Sequence, residues 1–97
     1  SILMKKTLIE VKERIKTGIE IEYVTKLKLA ALIRKSRFLY KHVTGKEVLV
    51  TAVAKIPGVI NLDGDEKIFV KGQPFSIVEI KQNNLVLSTI LYIKESV

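Results

Sequence analysis

Cysteine and tryptophan are both missing from this 97-residue chain, and histidine occurs once. Without cysteine there is no disulfide scaffold, no thiolate metal site and no cysteine nucleophile. A single imidazole, His42, removes most zinc, haem and triad chemistry as well. Proline occurs only at Pro57 and Pro74, and methionine only at Met4. Long apolar runs are also lacking. The longest, Leu85 to Ile93, includes Ser88 and Thr89 and falls far short of the ~20 residues of a membrane-spanning helix. Met4-Lys5-Lys6 has the charge of a leader's basic region, but Glu, Lys and Arg crowd Thr7 to Thr17, where an apolar stretch would follow. The expectation is a soluble, intracellular protein.

What the chain does contain is Ile, Val, Leu and Lys. Apolar residues make up 47% of it, too many for a disordered chain and enough for one modest core. Lys and Glu dominate the charged residues, Gln is confined to Gln73 and Gln82, and the connections are short. That pattern is expected of thermostable, hyperthermophile proteins. The formal charge is +7 and it is unevenly spread. Residues 1–46 carry 12 Lys/Arg against 4 Glu, whereas residues 47–97 carry 5 Lys against 6 Asp/Glu. From Lys26 to Lys46 seven residues are basic and none is acidic.

Thr7 and Glu10 have capping-box spacing, with Leu8, Val11 and Ile15 following at helical intervals and Gly18 as a stop, which predicts a helix over 8–17. Ile19 to Tyr23 alternates apolar and acidic residues and predicts an edge strand with one buried face. Thr25 can cap a second, longer helix running to Val43. Its core face would hold Leu29, Leu32, Ile33, Ser36, Leu39, Tyr40 and Val43. Beyond Glu47 the pattern is β: a central strand at 48–54, then 59–62 and 67–70 around the Asp63-Gly64-Asp65 turn. A last hairpin joins 75–82 to 85–93 through Asn83-Asn84, read as a two-residue turn pairing Ile80 with Leu87. The predicted fold is α+β in one domain: residues 1–46 helical and basic, residues 47–97 an antiparallel sheet of four to six short strands, in an unusual arrangement.

Catalytic chemistry finds little support. His42 has no Ser, Thr or carboxylate partner in its local sequence. Asp63-Gly64-Asp65-Glu66 lacks the ligand spacing of a calcium loop and reads as a turn. No phosphate loop, nucleophile elbow or zinc-protease motif is present. The expected protein is non-enzymatic, with no metal and no cofactor. Its most unusual feature is the basic segment: Lys26, Lys28, Arg34, Lys35, Arg37, Lys41 and Lys46 on or just after the second helix, expected to contact nucleic acid, DNA or RNA, non-specifically through phosphates. Leu27, Ala31 and Phe38 form a second apolar seam on that helix. This seam predicts an interface, either of a homodimer or of an adaptor docked on another protein.

In length, Ile/Val/Lys richness and lack of motifs, the chain as a whole resembles small proteins of unknown function from hyperthermophilic archaeal filamentous viruses, the lipothrixviruses and rudiviruses. The resemblance implies an unusual fold and a place in the host cytoplasm. Val48 to Lys94 also resembles the small β domain of GINS replication subunits, at Val50, Ile56-Pro57, Ile60, Asp63-Gly64, Phe69, Lys71-Gly72 and Ile77. That likeness implies protein–protein docking in a replication complex, although residues 1–46 are too few for the helical GINS domain.

Overall fold

A computed structural model describes residues 5–96, which contain six β-strands and no helix. The strands are β1 (Lys5–Thr17), β2 (Glu20–Lys41), β3 (Glu47–Pro57), β4 (Lys67–Val70), β5 (Gln73–Asn83) and β6 (Ser88–Glu95). They close into an antiparallel barrel in the order β1-β2-β3-β6-β5-β4. In that ring β4 lies beside β1 and precedes the meander β1-β2-β3, the spatial order of a Greek key.

The fold is therefore all-β, which corrects the α+β expectation. Of the segments expected to be helical, 8–17 lies in strand β1, and 25–43 lies in strand β2 as far as Lys41, with His42 and Val43 in the loop that follows. Two periods coexist in these segments. Ile9 and Val11 in β1, and Leu27, Leu29, Ala31 and Ile33 in β2, recur at every second residue, and these are the side chains that form or pack against the core. Ala30 and Leu32 on the opposite face supply the extra apolar positions that imitate a helical stripe. The β-branched Ile9, Val11, Ile15 and Thr17 favour the pleated form. The Thr7–Glu10 capping box goes unused, since both residues lie inside β1. Met4 of the basic N-terminal run lies outside the described residues.

The core consists of Ile9, Val11, Ala31, Ala52, Ala54, Ile56, Ile68, Phe75, Leu91 and Ile93. Three alanines on β2 and β3 face larger side chains from β1, β4 and β6, so the interior is filled rather than hollow. The expected central strand is β3, flanked by β2 and β6. Residues 59–62, expected as a strand, form a loop that carries Ile60 and Leu62 against the core. The loop is clamped at several points. The Thr89 hydroxyl donates to Gly58 O at 2.9 Å and accepts from Ile60 N at 3.1 Å, and Gln82 Nε2 donates to Ile60 O at 2.6 Å.

The turns follow their chemistry. Lys71-Gly72 joins β4 to β5 with positive φ at both residues, as a two-residue primed hairpin turn requires. Gly18 has positive φ at the first position of the Gly18-Ile19 loop between β1 and β2. The last hairpin differs from expectation: Asn83 pairs with Ser88 across a four-residue loop, so Ile80 faces Leu91 rather than Leu87. Asn83 Oδ1 explains the wider loop, accepting from the N–H groups of Leu85 and Val86 at 3.0 and 3.2 Å.

The 22-residue β2 serves two neighbours in turn, β1 up to Ile33 and β3 from Leu32 onward. β1 pairs with β4 only at Ile9–Lys12. The hairpin formed by residues 13–25 therefore extends as an arm beyond the β4 pairing, with Arg14, Ile21 and Tyr23 lining a cleft with Gly64 to Lys67, in a molecule of 46 × 31 × 26 Å. The expected edge strand at 19–23 falls in this arm, but its apolar side is not buried: Ile19, Ile21 and Tyr23 are all exposed.

Candidate functional site

A β-bulge sets up the site. Lys35 pairs with Ala52 and Phe38 with Val50, so Ser36 and Arg37 together oppose the single residue Thr51. Such a bulge bends the strand and re-aims its side chains. Here it lies at one end of the barrel, beside the β4–β5 turn. The two features border a basin of about 780 Å³, lined by residues from all six strands. Its floor includes Ile33, Ala52, Val70 and Phe75, and its charged rim is Arg34, Lys35, Arg37, Lys71 and Glu95.

Four cations thus meet one carboxylate. Among the described residues none of the four is in an ion pair. Arg34 is half-buried, and its Nε is buried with no hydrogen-bond partner. A guanidinium N–H shielded from water without an acceptor is costly, and an incoming anion would satisfy it. Thr51 is engaged elsewhere: its hydroxyl accepts from Glu95 N at 2.9 Å, which ties the β6 end to the bulge.

Of the seven basic residues singled out in sequence, the structure brings Arg34, Lys35 and Arg37 together at the basin. The rest are dispersed along the length of β2 and just beyond it. Lys26 sits at the β1–β2 bulge, 3.9 Å from Glu66, and Lys28 pairs across to Glu10. Lys41 pairs with Glu47, and Lys46 lies in the exposed β2–β3 loop. A basic helix is thus replaced by a basic strand with one focus. Lys71, the fourth cation of the rim, was missed because it lies far along the chain in an otherwise near-neutral half. Only barrel closure brings it near Arg37.

The Leu27, Ala31 and Phe38 seam is not assembled. Ala31 is fully buried in the barrel, Leu27 packs against the core, and the Phe38 ring meets Tyr92 edge-on at 5.5 Å. Phe38 belongs instead to an aromatic group on the barrel wall, where Tyr40 packs edge-on against Tyr92 at 5.4 Å and against His42 at 5.2 Å. Lys81 Nζ lies 5.1 Å from the Tyr92 ring centre. The Tyr40 hydroxyl donates to Glu79 Oε2 at 2.9 Å, and this bond, ahead of desolvation and the Glu79 charge, raises the phenol above its usual value. His42 is thereby part of an aromatic contact.

The acidic turn has a structural use. Glu66 is 2% exposed, and its two oxygens accept from Asp63 N and Gly64 N, each at 2.8 Å. Burial opposes its ionisation, but these N–H groups, its own, and the Lys26 ammonium outweigh burial and hold the carboxyl below its ordinary value. Asp63, Asp65 and Glu66 carry oxygens within 4.8 Å of one another. Both Glu66 oxygens, however, already close the loop.

No helix of the described residues is long and apolar enough to cross a membrane. The sequence matches no protein-family model and no curated protein.

Proposed function

We propose that this small barrel is a non-enzymatic binding protein that holds nucleic acid without reading its sequence, seating backbone phosphates at the basic mouth. The observation that carries this reading is the basin of about 780 Å³ rimmed by Arg34, Lys35, Arg37 and Lys71, with Arg34 Nε buried and unpartnered. The volume is in the range of small-ligand pockets, so a phosphate with its sugar fits, whereas a whole duplex would contact only the rim. Lys41 and Lys46 continue the positive charge along the β2–β3 hairpin beyond the mouth. Four cations line the site beside Thr7, Thr51, Gln73 and Glu95, and that excess of positive charge suits phosphate contact.

Fluorescence anisotropy with labelled single-stranded and duplex oligonucleotides over a salt series tests this. Log affinity should fall linearly with log salt. Removing Lys35, Arg37 or Lys71 by alanine substitution should each reduce the slope by about 0.7 to 0.9. Lys28→Ala, away from the mouth, should leave the slope in place. No binding at low salt, or equal effects from Lys28→Ala and Arg37→Ala, would refute the reading.

A further inference from the structure

The arm leaves a strand edge open. β3 pairs with β2 only from Leu32, so Glu20 to Ala31 has β1 on one side and no strand on the other among the described residues. No backbone hydrogen bond from the 58–66 loop covers that edge. The two-residue loop makes Thr17 and Glu20 a hydrogen-bonded pair, and alternation makes Glu22 and Val24 the next such positions. The N–H and C=O groups of Ile21, Tyr23 and Thr25 therefore point to the open side.

Exposed edges invite pairing with another chain, and proteins commonly block this with charge. Charges of one sign would repel a second copy. The sequence here is Glu20-Ile21-Glu22-Tyr23-Val24-Thr25-Lys26-Leu27-Lys28, acidic at one end and basic at the other about Val24. Antiparallel pairing of this segment with itself brings opposite charges together. With the two-fold axis at Val24, Glu22 lies opposite Lys26 of the second copy, and Glu20 opposite Lys28. The bulge at Lys26 turns Lys28 to the other face, so register and face agree best at the Glu22–Lys26 pair, formed twice by symmetry. Lys26 keeps its 3.9 Å link to Glu66, and its side chain, 35% exposed, can meet Glu22 of the second copy as well. Tyr23 meets Thr25 as a hydrogen-bonded pair, and Val24, 44% exposed, meets its own symmetry mate.

We infer that the 20–28 edge of β2 is a self-complementary docking strand, and that its occupant is the same strand of a second copy. The resulting dimer would join the two arms into one continuous antiparallel sheet, with both basic mouths free.

Because the chain has no cysteine, Val24→Cys is a clean probe. At the two-fold axis the two positions form a non-hydrogen-bonded pair with Cα atoms about 4.5 Å apart, within disulfide range. Mild oxidation should give a covalent dimer. Ile19→Cys, at the hairpin tip, should stay monomeric, because the two tips would lie about 33 Å apart at ~3.3 Å per residue. In sedimentation velocity the unmodified protein should dimerise at high micromolar concentration, while Val24→Lys and Glu22→Lys should sediment as folded monomers. A monomeric parent protein, a dimer that survives both lysine variants, or equal cross-linking at positions 19 and 24 would each overturn the inference.

Discussion

Glu66→Gln should destabilise the protein far more than its conservative shape suggests. The carboxylate accepts two backbone N–H groups at 2.8 Å, one on each oxygen, in a site only 2% exposed. An amide keeps one acceptor but turns an NH₂ toward the other N–H, so a buried donor faces a donor. A lost charge-assisted bond and an unsatisfied N–H together cost about 2 to 3 kcal/mol. For a domain of this size that corresponds to a fall in Tm of roughly 10 to 20 °C. The pH dependence follows from the direction of the Glu66 shift. Its folded value lies below the ordinary 4.5, so the carboxylate's contribution is fully present above the unfolded value and is lost as pH falls through the folded one. Calorimetry of both proteins from neutral to strongly acid pH should show a large gap that narrows below pH 4.5 as the native carboxyl takes up its proton. A gap under about 0.5 kcal/mol at neutral pH, the size of an ordinary surface substitution, would refute the reasoning, as would a gap that persists unchanged in acid.

Other consequences can be checked separately. Thr89→Val keeps the shape but leaves Gly58 O and Ile60 N without their hydroxyl partner, and should lower unfolding free energy in urea by about 2 kcal/mol. Alkaline ultraviolet titration should find the Tyr40 phenol ionising above 10.0, and Glu79→Gln should bring that step down, because the hydrogen bond to Glu79 is the leading cause of the Tyr40 shift. Leu87 is exposed with φ of 45°, so Leu87→Gly should raise stability by about 1 kcal/mol through relief of left-handed strain, measurable as a higher urea midpoint.

The C-terminal half was the more legible because its punctuation is local. Lys71-Gly72 and Asp63-Gly64 mark turns by residue type alone, and β3 shows its two-sided apolar character directly. The N-terminal half misleads because Leu29, Leu32, Ile33 and Leu39 fit a helical wheel, while the decisive series Leu27, Leu29, Ala31, Ile33 fits a strand. An outer face rich in Ala30 and Leu32 hides the alternation. The basic concentration between Lys26 and Lys46 could be read from composition. That only Arg34, Lys35 and Arg37 of it reach the mouth depends on a bulge and a ring closure, neither of which has a local signature.

Ring closure also sets an order of assembly. The β1–β2, β2–β3, β4–β5 and β5–β6 pairs are hairpins that can form from neighbouring residues, whereas Ile9–Val70 through Lys12–Lys67 join positions roughly sixty residues apart. Four residue pairs carry that join. Chain entropy makes it the costly step, so the barrel should exist first as an open curved sheet and seal last. Pulse-labelled amides of Lys67 and Phe69, which face β1 because Val70 and Ile68 bond to β5, would then gain protection after those of β3. The mouth, which needs Lys71 beside Arg37, would come into being only with that final seal.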